Sequence, residues 1–440
     1  MINKTVTAAK SGEIKAIASK SMAHRMMIAA ALSKIKGKKA VDTNVDDLIC
    51  ASTTSKDIEA TRACLKEILK AVNASGDYVR SGALSSRFIP NYSNKLMCGE
   101  SGSTLRFLLP IVGALGIEAE FYPEGRLPGR PLSPLYEEMQ KKGCILSKQG
   151  EVPFKVRGGL RGGVYEIDGN ISSQFITGLL FALPLLKEDS EIKINGELES
   201  KPYVDMTLEV LEKSGIKIEE SIDGFKIKGN QKYDFKENQI VEGDWSNAAF
   251  WLSLGALSAD GVKVFGLKAD SKQGDKKILD ILSDFGAMVV TDKDSATVKA
   301  GNLLATVVDA KDVPDLVPVI SVVAAAAKGK TRIINAERLR IKESDRIKSV
   351  AEMLKQLEIK VEETDDGLEI EGMDLFENGP KKALEKDIVI NSFNDHRIAM
   401  SAAIASKLSE KALTIEDAEA VNKSYPAFFE DYEKLGGNIV

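Results

Sequence analysis

The chain has 440 residues, 43% of them hydrophobic and 28% charged, a composition that permits a buried core and excludes a disordered polypeptide. The formal net charge of −5, with a pI near 5.5, argues against a nucleic-acid binder, which needs a basic domain or stripe, so any anion site is local. The length exceeds one ordinary core and favours two large domains.

Taken in chain order, one kind of helix recurs: SKSMAHRMMIAAAL from Ser19, ESGSTLRFLLPIVGAL from Glu100, NISSQFITGLLFALPLL from Asn170, GDWSNAAFWLSLGAL from Gly243, VPDLVPVISVVAAAA from Val313 and NDHRIAMSAAIAS from Asn394. Each has a polar head and an apolar body, and the starts lie about 70 to 80 residues apart, longer than a solenoid unit but suited to repeated supersecondary units. A second, amphipathic helix alternates with the first in PLSPLYEEMQKKG, SKPYVDMTLEVLEKSG, KQGDKKILDILSDFG, SDRIKSVAEMLKQLE and YPAFFEDYEKLGG, most of which close on a glycine suited to a C-cap. FKVRGG, YEIDG, EIKING, GFKIKG, VKVFG and LEIEG alternate as short strands bounded by glycine turns.

A unit with one all-apolar helix buries it only by gathering with others, so three units per domain, used twice, are expected, with apolar helices inside. Their polar heads would then emerge exposed at one end. Ser, Asp and Asn there serve as N-caps, Asp315 among them, but Lys20, Arg25, Arg106 and Arg397 oppose the helix macrodipole, a conflict that bound anions would remove. Ile347, Val350, Leu354 and Leu357 define a further helix beginning near Ser344, which brings Glu343 and Arg346 together. A glutamate among Lys342, Arg346 and Arg397 should have a lowered pKa.

The apolar runs Leu105 to Leu115 and Leu316 to Ala327 are interrupted by Arg or Pro or are too short to cross a bilayer, so no membrane partner is expected. MINKTVTAAKSGEIK has neither the apolar centre of a secretory signal nor the Arg-rich character of a transit peptide, and a cytoplasmic protein is expected. Cys50, Cys64, Cys98 and Cys144 lack CxxC spacing and the histidines are His24 and His396, which suggests reduced thiols and no metal site.

SKSMAHR from Ser19, ESGSTLRFL from Glu100, GRLPGRPL from Gly125, ISSQF from Ile171, SKPYVD from Ser200, QGD from Gln273, RIKESDR from Arg340 and NDHRIAM from Asn394 together resemble the enolpyruvyl transferases. The resemblance covers essentially the whole chain. It implies an α/β (α+β) fold, a two-domain inside-out α/β barrel of three βαβαββ repeats per domain with buried apolar helices. It also implies domain boundaries: residues 1–19 with 242–440 form one domain, residues 20–241 are inserted as the other, and the substrate cleft lies between them. The implied reaction transfers the enolpyruvyl group of phosphoenolpyruvate to the 5-hydroxyl of shikimate 3-phosphate through a tetrahedral intermediate, without covalent attachment to protein.

By the same resemblance Lys20, Ser21, Arg25, Ser172, Ser173, Gln174, Ser200, Asp315 and Lys342 bind shikimate 3-phosphate, and Lys20, Gly102, Arg130, Gln174, Arg346, Arg397 and Lys423 bind phosphoenolpyruvate. The residue types fit, since serine hydroxyls donate to phosphate oxygens and arginine forks match oxyanions. Asp315 would accept the hydroxyl proton, while Glu343 and Lys20 are alternative donors to the methylene carbon. His396 is expected to be structural beside the ligand-binding Arg397. Glu100, where many relatives have Asn, must face away or pair with a cation such as Arg106, and Arg338, where some relatives carry a substrate-binding Asn, is given no role.

No cofactor or metal is implied, the partners are the two small substrates, and a monomer is expected. The alternative acceptor is UDP-N-acetylglucosamine, but the enzyme that uses it usually carries a reactive cysteine where this chain has GRLPGRP. An RNA-end-processing cyclase would need a nucleophilic histidine and a basic face, and a phosphate-binding regulator would have no need of Asp315 and Glu343.

Overall fold

A computed structural model describes residues 2–37, 39–46, 48–50, 54–80, 94–380 and 387–439. The chain falls into two compact units, one of Lys20–Val241 and one of Met1–Ser19 with Glu242–Val440.

The first unit carries helices α1 (Lys20–Ser33), α2 (Lys56–Arg80), α3 (Gly102–Leu115), α4 (Leu135–Lys141), α5 (Ser173–Ala182) and α6 (Lys201–Lys213). α1, α3 and α5 are buried along almost their whole length, as helices without a polar stripe must be. α3 and α5 pack so closely that a Cβ built on Gly178 would stand 2.5 Å from the Arg106 carbonyl oxygen. α6 keeps one buried stripe, Val204, Thr207, Val210 and Leu211, and ends at Gly215, whose φ of 74° suits glycine; just beyond it Ile216 N–H donates to Leu211 O.

The second unit carries α7 (Trp245–Ala256), α8 (Ile278–Asp284), α9 (Val317–Ala326), α10 (Arg346–Gln356), α11 (Leu375–Asn378), α12 (His396–Ala405) and α13 (Phe428–Lys434). Every residue of α9 and α12 is buried, and each fully buried Val, Leu or Ile contributes about 1.5–3 kcal/mol relative to exposure.

Among the described residues the strands form five four-stranded sheets and two two-stranded pairs. One order repeats in all five, a parallel pair followed by two antiparallel neighbours, and in four of them the parallel pair is joined through a buried helix. In the first unit Asn94–Gly99 lies parallel to Ala119–Pro123, followed by Phe154–Gly158 and Cys144–Leu146. Gly163–Asp168, Ser190–Asn195, Gly224–Ile227 and Ile218–Ser221 repeat it. In the second unit the amino-terminal segment completes two sheets. Gly12–Lys15 lies parallel to Val262–Phe265, and Lys4–Thr7 sits antiparallel between Leu413–Glu416 and Asn438–Ile439. The βαβαββ repeat implied by the family resemblance is therefore present, built around buried helices.

Three local expectations are corrected. The 25-residue α2 was not anticipated, although Ile58, Leu65, Ile68, Leu69 and Val72 are buried at helical spacing. α10 begins at Arg346 rather than near Ser344, because Asp345 is its N-cap and accepts from Lys348 N–H. Asp315 is not a cap: it lies within the 3-10 turn Pro314–Leu316, and its carboxylate is used elsewhere. Cys64, Cys98 and Cys144 are buried free thiols, and the Cys50 side chain lies outside the described residues.

Candidate active site

In the unit Lys20–Val241, the expected residues gather at the starts of α1, α3, α5 and α6. Lys20 opens α1, and its Nζ donates to Asp57 Oδ2 at 2.7 Å, an ion pair with the first turn of α2. Arg25 is one turn further on and only 2% exposed, contrary to the expectation of exposed heads. Its Nε donates to Thr207 Oγ1 at 2.9 Å, Nη1 to Ser21 O at 2.7 Å, and Nη2 to Tyr203 O at 2.8 Å. The guanidinium also lies over Phe107, 5.2 Å from the ring centre. Burial lowers its pKa to about 10, so it remains a cation while tying α1 to α6.

Gly102 begins α3 behind the N-cap Ser101. A Cβ at Gly102 would lie 3.0 Å from Arg130 Nη1 and 3.4 Å from Arg106 Nη1, so two guanidiniums and a helix N-terminus share one small region. Such a region suits a multiply charged anion. Arg106 Nη1 donates to Gln174 Oε1 at 2.9 Å and Gln174 Nε2 to Ser103 Oγ at 3.0 Å, which locks the head of α5 to the head of α3. Ser172 caps α5, accepting from Gln174 N–H at 3.3 Å, and Ser173 is the helix's first residue. Ser200 precedes α6 in the left-handed region, φ 56°, a conformation that costs a non-glycine residue about 1–3 kcal/mol and persists only where the surroundings enforce it. Glu100 lies against Gly125, where a Cβ would stand 2.7 Å from its Oε2, while Arg106 turns to Gln174 and to the Pro131 carbonyl.

In the other unit Asp315, Lys342, Glu343, Arg346, Arg397 and Lys423 form a second set around one buried arginine. Arg346, 1% exposed, donates from Nε to Asp395 Oδ2 at 2.8 Å, from Nη1 to Asp315 Oδ1 at 2.8 Å, and from Nη2 to Glu343 Oε2 at 2.9 Å. Burial alone would lower its pKa, but Asp395, Glu343 and Asp315 outweigh that and raise it. Arg397 Nη2 donates to Asp315 Oδ2 at 2.8 Å, so both oxygens of Asp315 are held by arginines. Burial would raise the Asp315 carboxyl, yet Arg397, Lys342 and Arg346 together hold it far below the ordinary carboxylate range. Lys423 Nζ donates to Asn394 O at 2.5 Å, in a left-handed pair, Phe393 and Asn394, that leads into α12. Asp395 caps that helix, accepting from Arg397 N–H at 2.9 Å. His396 is buried with Nδ1 3.9 Å from Asp395 Oδ1.

The cationic heads thus carry internal counter-ions that the sequence reading missed: Asp57 for Lys20, and Asp395 with Asp315 for Arg346 and Arg397. Asp395 was detectable, since it stands at the N-cap position of NDHR. Asp57 was hidden by the overlooked α2. Among the described residues no group of three or more His, Cys, Asp or Glu could hold a metal ion, and no helix is long and apolar enough to cross a membrane.

A sequence model of the family "EPSP synthase (3-phosphoshikimate 1-carboxyvinyltransferase)" matches residues 5–432. The 3-phosphoshikimate 1-carboxyvinyltransferase of Clostridium perfringens strain 13 is 42% identical over 432 residues, covering 97% of this chain and 96% of the relative. The enzyme of the same name from Clostridioides difficile strain 630 is 40% identical over 439 residues, 98% and 96% of the two chains. Among solved structures, EPSP synthase from Acinetobacter baumannii superimposes with a TM-score of 0.72 at 21% identity, covering 100% of both chains. The enolpyruvyl transferase NikO from Streptomyces tendae does so with 0.70 at 17% identity, covering 100% of this chain and 98% of that one. These two structural likenesses carry the fold alone.

Proposed function

The chain belongs to the EPSP synthase family, and from that premise we propose how its two residue sets divide the family's reaction. The enzyme transfers the enolpyruvyl group of phosphoenolpyruvate to shikimate 3-phosphate, a step of the shikimate pathway to aromatic compounds. Lys20, Ser21, Arg25, Ser172, Ser173, Gln174, Ser200 and Lys342 hold shikimate 3-phosphate. Gly102 and Arg130, with Arg346, Arg397 and Lys423, hold phosphoenolpyruvate, and Lys20 and Gln174 serve both substrates.

One observation carries the reading: Asp315, the proposed base, is gripped by Arg346 and Arg397, the proposed anion ligands. A carboxylate so paired is a poor proton acceptor. The phosphate and carboxylate of phosphoenolpyruvate compete for the same guanidinium donors, and as those donors turn to the substrate the basicity of Asp315 rises. The base is thereby readied by the molecule on which it acts.

As the 5-hydroxyl oxygen bonds to C2 of phosphoenolpyruvate, its proton passes to Asp315 and the methylene carbon takes a proton from Glu343 or Lys20. The product of addition is a tetrahedral ketal phosphate. Elimination then returns a proton from the new methyl group and expels phosphate, leaving the enol ether. Lys20, paired as an ammonium with Asp57, carries a proton and needs substrate only to release it from that partner, whereas Glu343, paired as a carboxylate with Arg346, must first take up a proton from solvent or substrate before it can donate one.

The test is phosphate release from phosphoenolpyruvate with shikimate 3-phosphate or UDP-N-acetylglucosamine as acceptor. Release with the first alone is expected; release with only the second, or with neither, overturns the reading. A monomer working in the cytoplasm is part of the same proposal, checked by sedimentation and cell fractionation.

A further inference from the structure

Asp275 takes no part in the mechanism above, yet it is buried next to it. It belongs to the short turn Gly274–Lys277, is 4% exposed, and its Oδ2 accepts a hydrogen bond from Ser246 Oγ in the first turn of α7. The same serine oxygen accepts from Arg397 Nη2 at 3.4 Å, the nitrogen that also donates to Asp315 Oδ2 at 2.8 Å. A serine has one proton to give. Ser246 gives it to Asp275, which turns its lone pairs toward Arg397.

The mount is rigid. Gln273, two residues before Asp275, accepts at Oε1 from Ser19 Oγ at 3.0 Å and Trp245 N–H at 3.1 Å. Its Nε2 donates to Glu242 Oε1 at 2.7 Å and Gly243 O at 2.8 Å. Asp275 is therefore held in place whichever charge it carries. Burial raises its pKa first and the charge of Asp315 next; Arg397 and the Ser246 bond lower it, Asp244 raises it slightly, and the result is about 7.

We propose that Asp275 is a positioning residue for phosphoenolpyruvate, acting through Ser246 on Arg397, and that its carboxyl must carry a proton for Arg397 to accept the substrate anion. An ionised Asp275 would be a second carboxylate beside Arg397, in addition to Asp315, and would compete with the ligand for the same positive charge. A neutral Asp275 holds Ser246 without that competition. By linkage, a bound anion favours the protonated form, so binding above neutrality takes up a proton. The inference rests on Arg397 as a phosphoenolpyruvate ligand.

The measurement is the KM for phosphoenolpyruvate between pH 6 and 9 at saturating shikimate 3-phosphate. In the parent, KM rises above about pH 7 by up to about tenfold per unit. Asp275→Asn, which keeps a neutral acceptor for Ser246, flattens that rise, with its effect confined to KM. Ser246→Ala removes a bond that lowers the Asp275 pKa and so moves the rise to higher pH. It also carries the test should Asp275→Asn not fold. A parental rise retained in Asp275→Asn, or an unmoved rise in Ser246→Ala, overturns the inference. If the parent releases no phosphate with shikimate 3-phosphate, the functional reading has failed instead. Calorimetry of phosphoenolpyruvate binding at pH 8 in two buffers of different ionisation heat then still tests the proton: uptake by the parent and not by Asp275→Asn is expected, and equal uptake overturns the inference.

Discussion

A single methyl group at Gly102 separates the proposed substrate contacts from the stability of the fold. Built as alanine, the residue places Cβ 3.0 Å from Arg130 Nη1, whereas ordinary contacts begin near 3.4 Å, the distance to Arg106 Nη1. The guanidinium of Arg130, the far end of a flexible side chain, recedes by a few tenths of an ångström, and Arg106 need not move. A hydrogen bond to a charged group contributes about 1.5–3 kcal/mol, and losing its alignment forfeits roughly half of that. The expected result is a rise of about three- to tenfold in KM for phosphoenolpyruvate. Because Gly102 is the first residue of α3, alanine also restricts the unfolded chain and contributes about 0.4–1 kcal/mol to stability, so the melting temperature holds or rises. Steady-state kinetics with each substrate varied in turn, beside thermal unfolding, is the assay. An unchanged KM for phosphoenolpyruvate, or an equal rise for shikimate 3-phosphate, would refute the placement of Arg130 at that substrate.

Asp315→Asn keeps the shape and removes the base; kcat for phosphate release should fall about 10²–10⁴-fold, and a parental kcat would remove Asp315 from the mechanism. Gly178→Ala meets backbone rather than a side-chain tip, 2.5 Å from Arg106 O, so α3 and α5 must separate. Urea unfolding should show a loss of about 1–3 kcal/mol together with weaker activity, and full stability would contradict the packing. Burial, with Lys20 and Arg25 adding to it, holds His24 well below its ordinary 6.5, so below that pH the unfolded chain binds more protons than the folded one. Stability therefore declines on acidification from about pH 6.5, by up to about 1.4 kcal/mol per unit, and His24→Asn should lessen that slope; an identical slope in urea titrations at pH 7 and 5 would remove His24 as its source.

The repeat was readable because an all-apolar helix such as α9 has one place to go, and two alternating helix types imply a layered unit. Short-range chemistry was readable where neighbours are close in sequence, as with Glu343 and Arg346, three positions apart. Long-range partners were not. The ion pair of Lys20 with Asp57 needs α2 folded back on α1, and the grip on Asp315 needs Arg346 and Arg397 brought from two other helices. Arg25 shows the same limit. Its place in SKSMAHR gives it as an anion ligand, whereas only the packed helices reveal that Thr207 and Tyr203 occupy much of its fork. Asp315 was assigned a cap from its position after Pro314, but tertiary charge overrode that local preference.

The strand Lys4–Thr7 has a consequence for synthesis. Thr414, which faces Thr5 of this strand, lies 409 positions downstream, so on the ribosome the strand waits roughly 20 to 80 seconds before its sheet can form. The inserted segment Lys20–Val241 has all its own partners much sooner and can fold while the rest is still being made. For that interval the early strand is unpaired, and nascent chains stalled before residue 413 should be bound by chaperones or cleaved by proteases at Lys4–Thr7.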